Sequence, residues 1–577
     1  MTMEKCYRFI CFVALDRGDP RIFGFAEFLT GLALMILAWT ISDVRYRFRI
    51  RTAPLPLQGI TFAIVVAVGV LALLTDLWRA EQWWVPNGRL LTPTEWQASL
   101  ASAFLAALLA WAWFAFIRPM PYGKHNAMRY ARAVFRSVLK GDPIELSVIA
   151  DEISYSANSL VAAATSFSEI RHPNNRPPDT TSGVPEKISL LTKCANDIFL
   201  MLGDRRFCRS VIRSSPGTAL SIFAAIGRTK KYGIPVETFA RNIVSEAITN
   251  RDSFIFQEEE GYKTGFIGYQ KPLSQSMFSN YEMAEAIGTL LDPEYSEMTK
   301  WDSGQWRAYC RAVLMTFQDF VEQEQGKHSF VLHRAFGYIR GATSNLYKLE
   351  GMGNYAWDND ELRKLEVVVK FIQDAIEILD KKGVPEFIRP RVRDKRASRG
   401  TFYDYLAEMI VDVIFSASSV RSPADWCWTI QHNTVWFALF NFGENSGAAG
   451  KVVKFKVRRL IYDEVKRMNT FANFKGARYL RYCLNVMGIQ FRKDKNFKDS
   501  SALHKVILSW TKKNFAWLHS YDPRIADACL VDGVAYDPQS RRLVKTYPAD
   551  GLRRIPVYEY LAVDAPPPVA AGQPAQV

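Results

Sequence analysis

Three apolar segments near the start of the chain, residues 22–42, 57–77 and 97–117, constrain its fold more than any other feature. A helix rises about 1.5 Å per residue, so roughly 20 such residues match the roughly 30 Å hydrocarbon core of a bilayer, where an unpaired backbone group finds no water. The pattern predicts three transmembrane helices. No comparably long apolar run follows, so most of the 577 residues must bury cores of their own. The expected fold class is an integral membrane protein, with three N-terminal transmembrane α-helices followed by a mainly α-helical cytosolic domain carrying short β-hairpins.

Loop charge sets the expected orientation, because basic residues are retained on the cytoplasmic side. Arg45, Arg47, Arg49 and Arg51 lie between the first two segments, and Arg118, Lys124, Arg129, Arg132, Arg136 and Lys140 follow the third. Between the second and third, Arg79 and Arg89 are offset by Glu81 and Glu95. This places residues 1–21 outside as a short tail, Trp78, Trp83, Trp84 and Trp96 at the outer interface, and the C-terminal body in the cytoplasm of a multi-pass cell-membrane protein. Eight scattered cysteines with no C-x-x-C fit thiols in a reducing compartment. Glu27, early in the first segment, reads as a residue snorkelling to the interface, with a pathway or pairing residue as the alternative.

Arg45-Tyr46-Arg47-Phe48-Arg49-Ile50-Arg51 alternates with period two, so an extended chain would turn its arginines one way, toward lipid phosphates, and its apolar residues the other; an ordinary positive-inside loop accounts for the same arginines by orientation alone. Residues 118–140 read as a juxtamembrane amphipathic helix. Its Arg129, Arg132, Arg136 and Lys140 fall on one face, and Tyr130, Val134, Phe135 and Val138 on the other. The same periodicity suits the first helix of a soluble bundle. Gly59, Ala63 and Ala67, and Ala98, Ser102, Ala106 and Ala110, recur every four residues and let membrane helices approach closely, within one chain or in a homo-oligomer.

The body divides by charge. Residues 141–386 hold 27 Lys+Arg against 33 Asp+Glu and read as an acidic helical lobe; residues 387–577 hold 30 against 17, with a basic helical lobe over 387–564 and a Pro/Ala-rich tail over 565–577. The basic run 389–396 marks the expected boundary. Residues 172–185 read as an exposed Pro/Asn/Thr-rich loop, 253–270 and 529–547 as hairpins, and Leu362, Leu365, Val369, Ile372, Ile376 and Leu379 as the apolar stripe of a helix starting at Asp358.

Chemistry-bearing patterns are sparse. Asn445-Ser446-Gly447-Ala448-Ala449-Gly450-Lys451-Val452 approaches a phosphate-binding loop, but Asn445 replaces the first glycine and Val452 the hydroxyl, leaving Lys451 a weak candidate for a nucleotide contact. Gly261, Gly265 and Gly268 read as turn positions, and the seven histidines lack ligand spacing. The pattern implies no catalytic residue, cofactor or metal. The basic lobe is the stronger signal. Arg458, Arg459, Arg478 and Arg481 lie among Tyr462, Phe471, Phe474, Tyr479 and Tyr482, the residue types that bind anionic lipid, nucleic acid or an acidic protein. The expected function is a membrane-anchored sensor, scaffold or membrane effector binding an intracellular partner through its body. The alternative is a membrane-tethered enzyme acting on a nucleotide or other phosphate-bearing substrate.

Overall fold

The computed structural model describes residues 4–7, 10–14, 21–41, 43–87, 92–117, 119–166, 189–259, 262–264, 268–323, 328–353, 358–385, 388, 400–440, 447–491, 498–549 and 555–565. The chain is mostly helical, with a few short antiparallel strands. It divides into two compact units, Met1–Glu246 and Ala247–Val577. The loop 172–185, the basic run 389–396, residues Asn445 and Ser446, and the tail beyond Ala565 lie outside the described residues.

The first unit opens with β1 (Glu4–Tyr7) and β2 (Ile10–Ala14), which continue through β3 (Trp84–Asn87) into a three-stranded antiparallel sheet. Its register sets Cys11 opposite Asn87 and Ala14 opposite Trp84. The apolar segments form α1 (Phe25–Ile41), α3 (Leu57–Ala80) and α4 (Pro93–Ala112), with α2 (Val44–Arg51) joining the first two and a π turn, Trp113–Ile117, extending the third. Two helices, Leu57–Ala80 and Thr94–Ile117, are long and apolar enough to cross a membrane, whereas the apolar run of α1 covers only Phe25–Leu37. The expected first span, 22–42, is therefore shortened at its start. There the backbone N–H of Ile22 donates to Gln97 Oε1 at 3.0 Å, and the Arg21 guanidinium reaches Asp76 at 2.8 Å, instead of entering the helix.

These contacts also fix direction. Phe25 N–H at the start of α1 donates to Asp76 near the end of α3 (2.9 Å), and Trp96 Nε1 in α4 donates to Thr75 Oγ1 (3.1 Å). The start of α1, the end of α3 and the start of α4 therefore share one end of an up-down-up bundle. Glu27 sits at that end, accepting from Gly24 N–H and pairing with Arg21 at 3.4 Å. Trp78, Trp83 and Trp84 are exposed there. Phe28, Met35, Val65, Val68, Leu100 and Phe104 form the bundle core. Glycine makes the close approach possible: a Cβ on Gly69 would stand 2.7 Å from the Phe28 ring, and one on Gly31 2.8 Å from Phe104. The small-residue ridges lie elsewhere, with Gly59, Ala63, Ala67, Ala98, Ser102, Ala106 and Ala110 all exposed on the outer faces.

Below the bundle follow α5 (Ala127–Lys140), α6 (Pro143–Ala163), α7 (Leu190–Leu202), α8 (Arg205–Ser214), α9 (Pro216–Thr229) and α10 (Glu237–Thr249). Helix α6 is the centre, burying Leu146, Ile149, Ile153 and Leu160 against α8 and α9, while α5 packs on α7.

The second unit contains α11 (Phe254–Gln257), the hairpin β4 (Tyr262–Thr264) and β5 (Gly268–Gln270), α12 (Pro272–Phe278), α13 (Tyr281–Ile287), α14 (Tyr295–Met298), α15 (Ser303–Gln323), α16 (Phe330–Gly341) and α17 (Asp360–Lys382). Then come α18 (Phe402–Ala417), α19 (Ala424–Trp428), a π helix (Thr429–Phe437), α20 (Ala438–Phe440), α21 (Ala448–Arg467), α22 (Phe474–Met487), α23 (Lys498–Tyr521), α24 (Pro523–Ala528) and the sheet β6 (Val534–Asp537), β7 (Arg542–Tyr547), β8 (Val557–Ala562). Asn359, one residue past the expected Asp358, caps α17 by accepting from Glu361 N–H at 2.9 Å. The stripe from Leu362 to Leu379 is buried against neighbouring helices, as in the centre of a bundle. The change of charge at residue 387 is not a change of packing, since α17 before it packs on α18 and α21 after it. The hairpin expected over 529–547 forms as β6–β7 and gains a third strand, β8.

Gly69→Leu is expected to destabilise the helical bundle by about 1–3 kcal/mol through overpacking against Phe28. Gly59→Leu, where nothing lies within 4 Å of the new Cβ, should be neutral or stabilising. Thermal unfolding of the two purified variants checks the contrast.

Candidate functional site

The most strongly organised polar cluster in the first unit lies where α2 meets α6. The segment from Arg45 to Arg51, whose alternation would suit an extended chain, is instead the helix α2; Asp43 caps its start by accepting from Val44 N–H, and Phe48 and Ile50, on different faces of the helix, are each buried. Phe48 packs edge-on against Tyr130, and Ile50 joins Ala53, Leu57, Trp111 and Ala115. Helical spacing then brings Arg45 and Arg49, four residues apart, onto one face. That face meets two carboxylates of α6.

Arg49 grips Glu152 with both prongs of its guanidinium, Nε to Oε2 at 2.9 Å and Nη2 to Oε1 at 2.8 Å. Its remaining nitrogen, Nη1, donates to the carbonyl of Ala115 in the π turn at 3.3 Å. Arg45 bridges Asp151 at 2.9 Å and Glu152 at 3.4 Å. Side-chain exposure is 12% for Arg49 and 4% for Glu152, so this pair is largely out of water. The hydrogen bonds that Arg49 donates to Glu152 raise its pKa against the opposing effect of burial. Ser215 donates to the other oxygen of Asp151, and Arg129 Nη1 donates to the Ala53 carbonyl at 3.0 Å. One small cluster thus joins the α1–α3 connector, the end of α4 and the body helices.

Of the basic residues expected on lipid, Arg45, Arg49 and Arg129 are engaged by protein, while Arg47, Arg51, Arg132, Arg136 and Lys140 are exposed. Lys140 reaches Glu145 at 2.6 Å, which raises its pKa. The apolar face of α5 is also redistributed. Tyr130, Val134 and Val138 are buried in protein, because α5 lies on α7 as the first helix of the body bundle. Met128, Phe135 and Leu139 remain exposed at 40%, 53% and 67%, on the face that carries Arg132 and Arg136.

In the second unit the four expected anion-binding arginines separate into two kinds. Arg459 is exposed and lies 3.8 Å from Asp463, and Arg458 is half-buried. Arg478 lies 3.7 Å over the Phe415 ring, donating to Ser418 Oγ at 3.1 Å and to the Phe415 carbonyl at 2.8 Å. Arg481 is 4% exposed and donates to the Ser418 carbonyl; burial lowers its pKa to about 10. Both therefore secure the end of α18. Tyr479 and Tyr482 are core residues, fully buried. What remains at the surface is the turn between α21 and α22, where Phe471 and Phe474 are 69% and 55% exposed beside Lys466, Arg467 and Lys475. Glu464 lies within 3.3 Å of Arg467 and 3.5 Å of Lys475.

Gly447 starts α21, but the amides that would cradle a phosphate face a carboxylate of this chain. Ala449 N–H donates to Asp380 Oδ1 at 2.6 Å, and a Cβ on Gly447 would collide with that carboxyl group. Lys451 is exposed on the first turn. Among the described residues no group of His, Cys, Asp and Glu could hold a metal ion. The sequence reading missed Asp151 and Glu152, for which one signal existed: adjacent carboxylates inside an otherwise apolar helix, with Glu152 near the phase of the buried Ile149 and Ser156.

Two outcomes follow. Glu152→Gln should cost about 3–5 kcal/mol, because it strands a buried guanidinium, whereas Arg47→Gln should change stability by less than about 0.5 kcal/mol. Denaturant unfolding of both variants measures the difference. Asp404 gives a pH signature in the second unit. Burial raises its pKa, but Lys456 and Thr401 hold it below 3.8, so its contribution is complete above that value and is lost as the pH falls through the lower folded value. Asp404→Asn should therefore lower the melting temperature at pH 7 and progressively less in acid.

No protein-family model matches this sequence, no curated protein resembles it closely enough to count as a relative, and no solved structure matches its fold.

Proposed function

We propose that the protein is a membrane-anchored helical scaffold or effector, in which α1, α3 and α4 all cross the membrane and the helical body contacts an anionic membrane surface from the cytoplasm. The single observation carrying this reading is the Arg45/Arg49–Asp151/Glu152 cluster. It fastens the connector of the apolar helices to the body, so that a force on one is felt by the other. The up-down-up order supports three crossings, since β2, itself paired with β1, pairs with β3 at the end shared by the start of α1 and the end of α3. Extending α1 by the unwound residues before it would bring it near the length of a span. Arg47, Arg51, Arg132 and Arg136, exposed at the opposite end, favour that end as cytoplasmic. The outward small-residue ridges of α3 and α4 are suited to packing against a second copy.

Two exposed surfaces combine rings or aliphatic chains with cations, the arrangement that enters an anionic headgroup layer. They are Met128, Phe135 and Leu139 with Arg132 and Arg136, and Phe471 and Phe474 with Lys466, Arg467 and Lys475. Nucleic acid is the less favoured partner, because Tyr479 and Tyr482 are buried and cannot stack on bases.

The test uses the full-length protein in nanodiscs of neutral or anionic lipid, in a cysteine-free background carrying an environment-sensitive dye at Phe471→Cys or Phe135→Cys. A blue shift with anionic lipid that is reversed by salt is expected. Identical spectra in both lipids would defeat the surface-contact reading, and salt-sensitive binding of single-stranded DNA to the same sample would replace it. Labelling Glu81→Cys in intact cells is expected to succeed from outside; reaction only after permeabilisation would invert the orientation.

A further inference from the structure

The sheet at the end of the bundle shared by the start of α1 and the end of α3 brings two cysteines together. The register of β1 on β2 sets Cys6 directly opposite Cys11, with Lys5 opposite Phe12 and Tyr7 opposite Ile10. Opposed residues of an antiparallel pair carry their Cβ atoms on the same face of the sheet, so the two positions are neighbours in space as well as partners in the ladder.

Opposed pairs alternate between two kinds, and the pair that exchanges no hydrogen bonds is the closer one, with Cα atoms about 4.5 Å apart. Two features assign Cys6 and Cys11 to that kind. The first is Pro86 of β3, which stands opposite Phe12. Proline has no N–H, so an edge strand accommodates it where its nitrogen faces away from the ladder, which is a pair without hydrogen bonds. The phase alternates along β2, so Cys11 directs its N–H and C=O at Asn87 of β3 and away from Cys6. The second is sequence spacing. Two residues separate Tyr7 from Ile10, and antiparallel strands joined over that length close on a hydrogen-bonded pair, which makes the next pair, Cys6 with Cys11, the unbonded kind. A Cα separation of about 4.5 Å lies within the roughly 4.4–6.8 Å that a disulfide spans.

From this register we infer that Cys6 and Cys11 are joined by an intrachain disulfide. The inference rests on the orientation proposed above, which puts β1 and β2 outside, where disulfides form and persist. The bond forms by thiol–disulfide exchange. The thiolate of one cysteine attacks the S–S bond of a disulfide-bearing oxidase of that compartment, the other cysteine displaces the oxidase from the mixed disulfide, and the oxidase leaves as a dithiol holding the two electrons and two protons. The other cysteines are set apart from this chemistry. Cys194, Cys208, Cys310, Cys427, Cys483 and Cys529 are buried free thiols, and burial raises the pKa of each, which keeps the reactive thiolate scarce. The eight cysteines of the chain thus divide into one oxidised pair and six thiols.

Adduct counting tests the inference. Cells expressing the full-length protein are lysed in denaturant containing N-ethylmaleimide, and the intact mass gives the number of alkylated cysteines before and after reduction. Six adducts without reductant and eight with it, on single chains, are expected. Cys6→Ser and Cys11→Ser, each with one cysteine fewer than the eight of the chain, should show seven adducts under both conditions, because the remaining partner is a free thiol. Eight adducts on the unreduced parent chain would overturn the disulfide, as would a protected pair that persists in both variants or a bond that links two chains. Labelling of Glu81→Cys in its cysteine-free background separates the two ways of failing. With eight unreduced adducts, reaction from outside removes the disulfide and leaves the orientation standing, whereas reaction only after permeabilisation removes both.

Discussion

The bidentate pair between Arg49 and Glu152 is the contact on which the first unit depends. A guanidinium and a carboxylate removed from water are costly unless each finds a matched partner, and here one geometry engages all three nitrogens of Arg49 and both oxygens of Glu152. The pair works only if α2 is helical, if the π turn after α4 presents the Ala115 carbonyl, and if α6 keeps Glu152 on its inner face. Three separate stretches of sequence are thereby held in mutual register by one charge pair. A substitution by a long apolar pair could match its stability and would lose this directional fit.

Local periodicity made the large features of the fold legible: the apolar helices, the buried stripe of α17 and the hairpin before β7. It gave no sign of the helix from Arg45 to Arg51, where the alternation is strand-like. The helix has a cap at Asp43 and sends Phe48 and Ile50, which a strand would turn to one side, to separate buried partners, Tyr130 for Phe48 and the Trp111 cluster for Ile50. The charge boundary at residue 387 misled for a related reason. Charge is a property of surfaces, and the apolar faces of α17, α18 and α21 pack together without regard to it.

The candidate sites were less legible than the fold, because the decisive partners are distant in sequence or belong to the backbone. Nothing in the basic stretch around Arg478 and Arg481 reveals that both are directed to Phe415 and Ser418 at the end of α18. Nothing near Gly447 reveals that Asp380 supplies the anion at the start of α21. By contrast, Phe471, Phe474 and the cations around them were visible as a basic-aromatic mixture, and they are what remains at the surface once the inward-facing members are removed.

The sheet at the far end of the apolar bundle imposes an order on synthesis. β2 finds its second neighbour, β3, only when residues 84–87 have been made and delivered to the same side as the first residues of the chain. If α1 and α3 are inserted as they emerge, the sheet closes behind them as a clasp, after both helices have been committed. On the proposed topology the strands would then act as a check: a chain with α1 or α3 left out of the membrane would keep β2 and β3 on opposite sides and show an open strand edge to whatever surveys misassembled proteins.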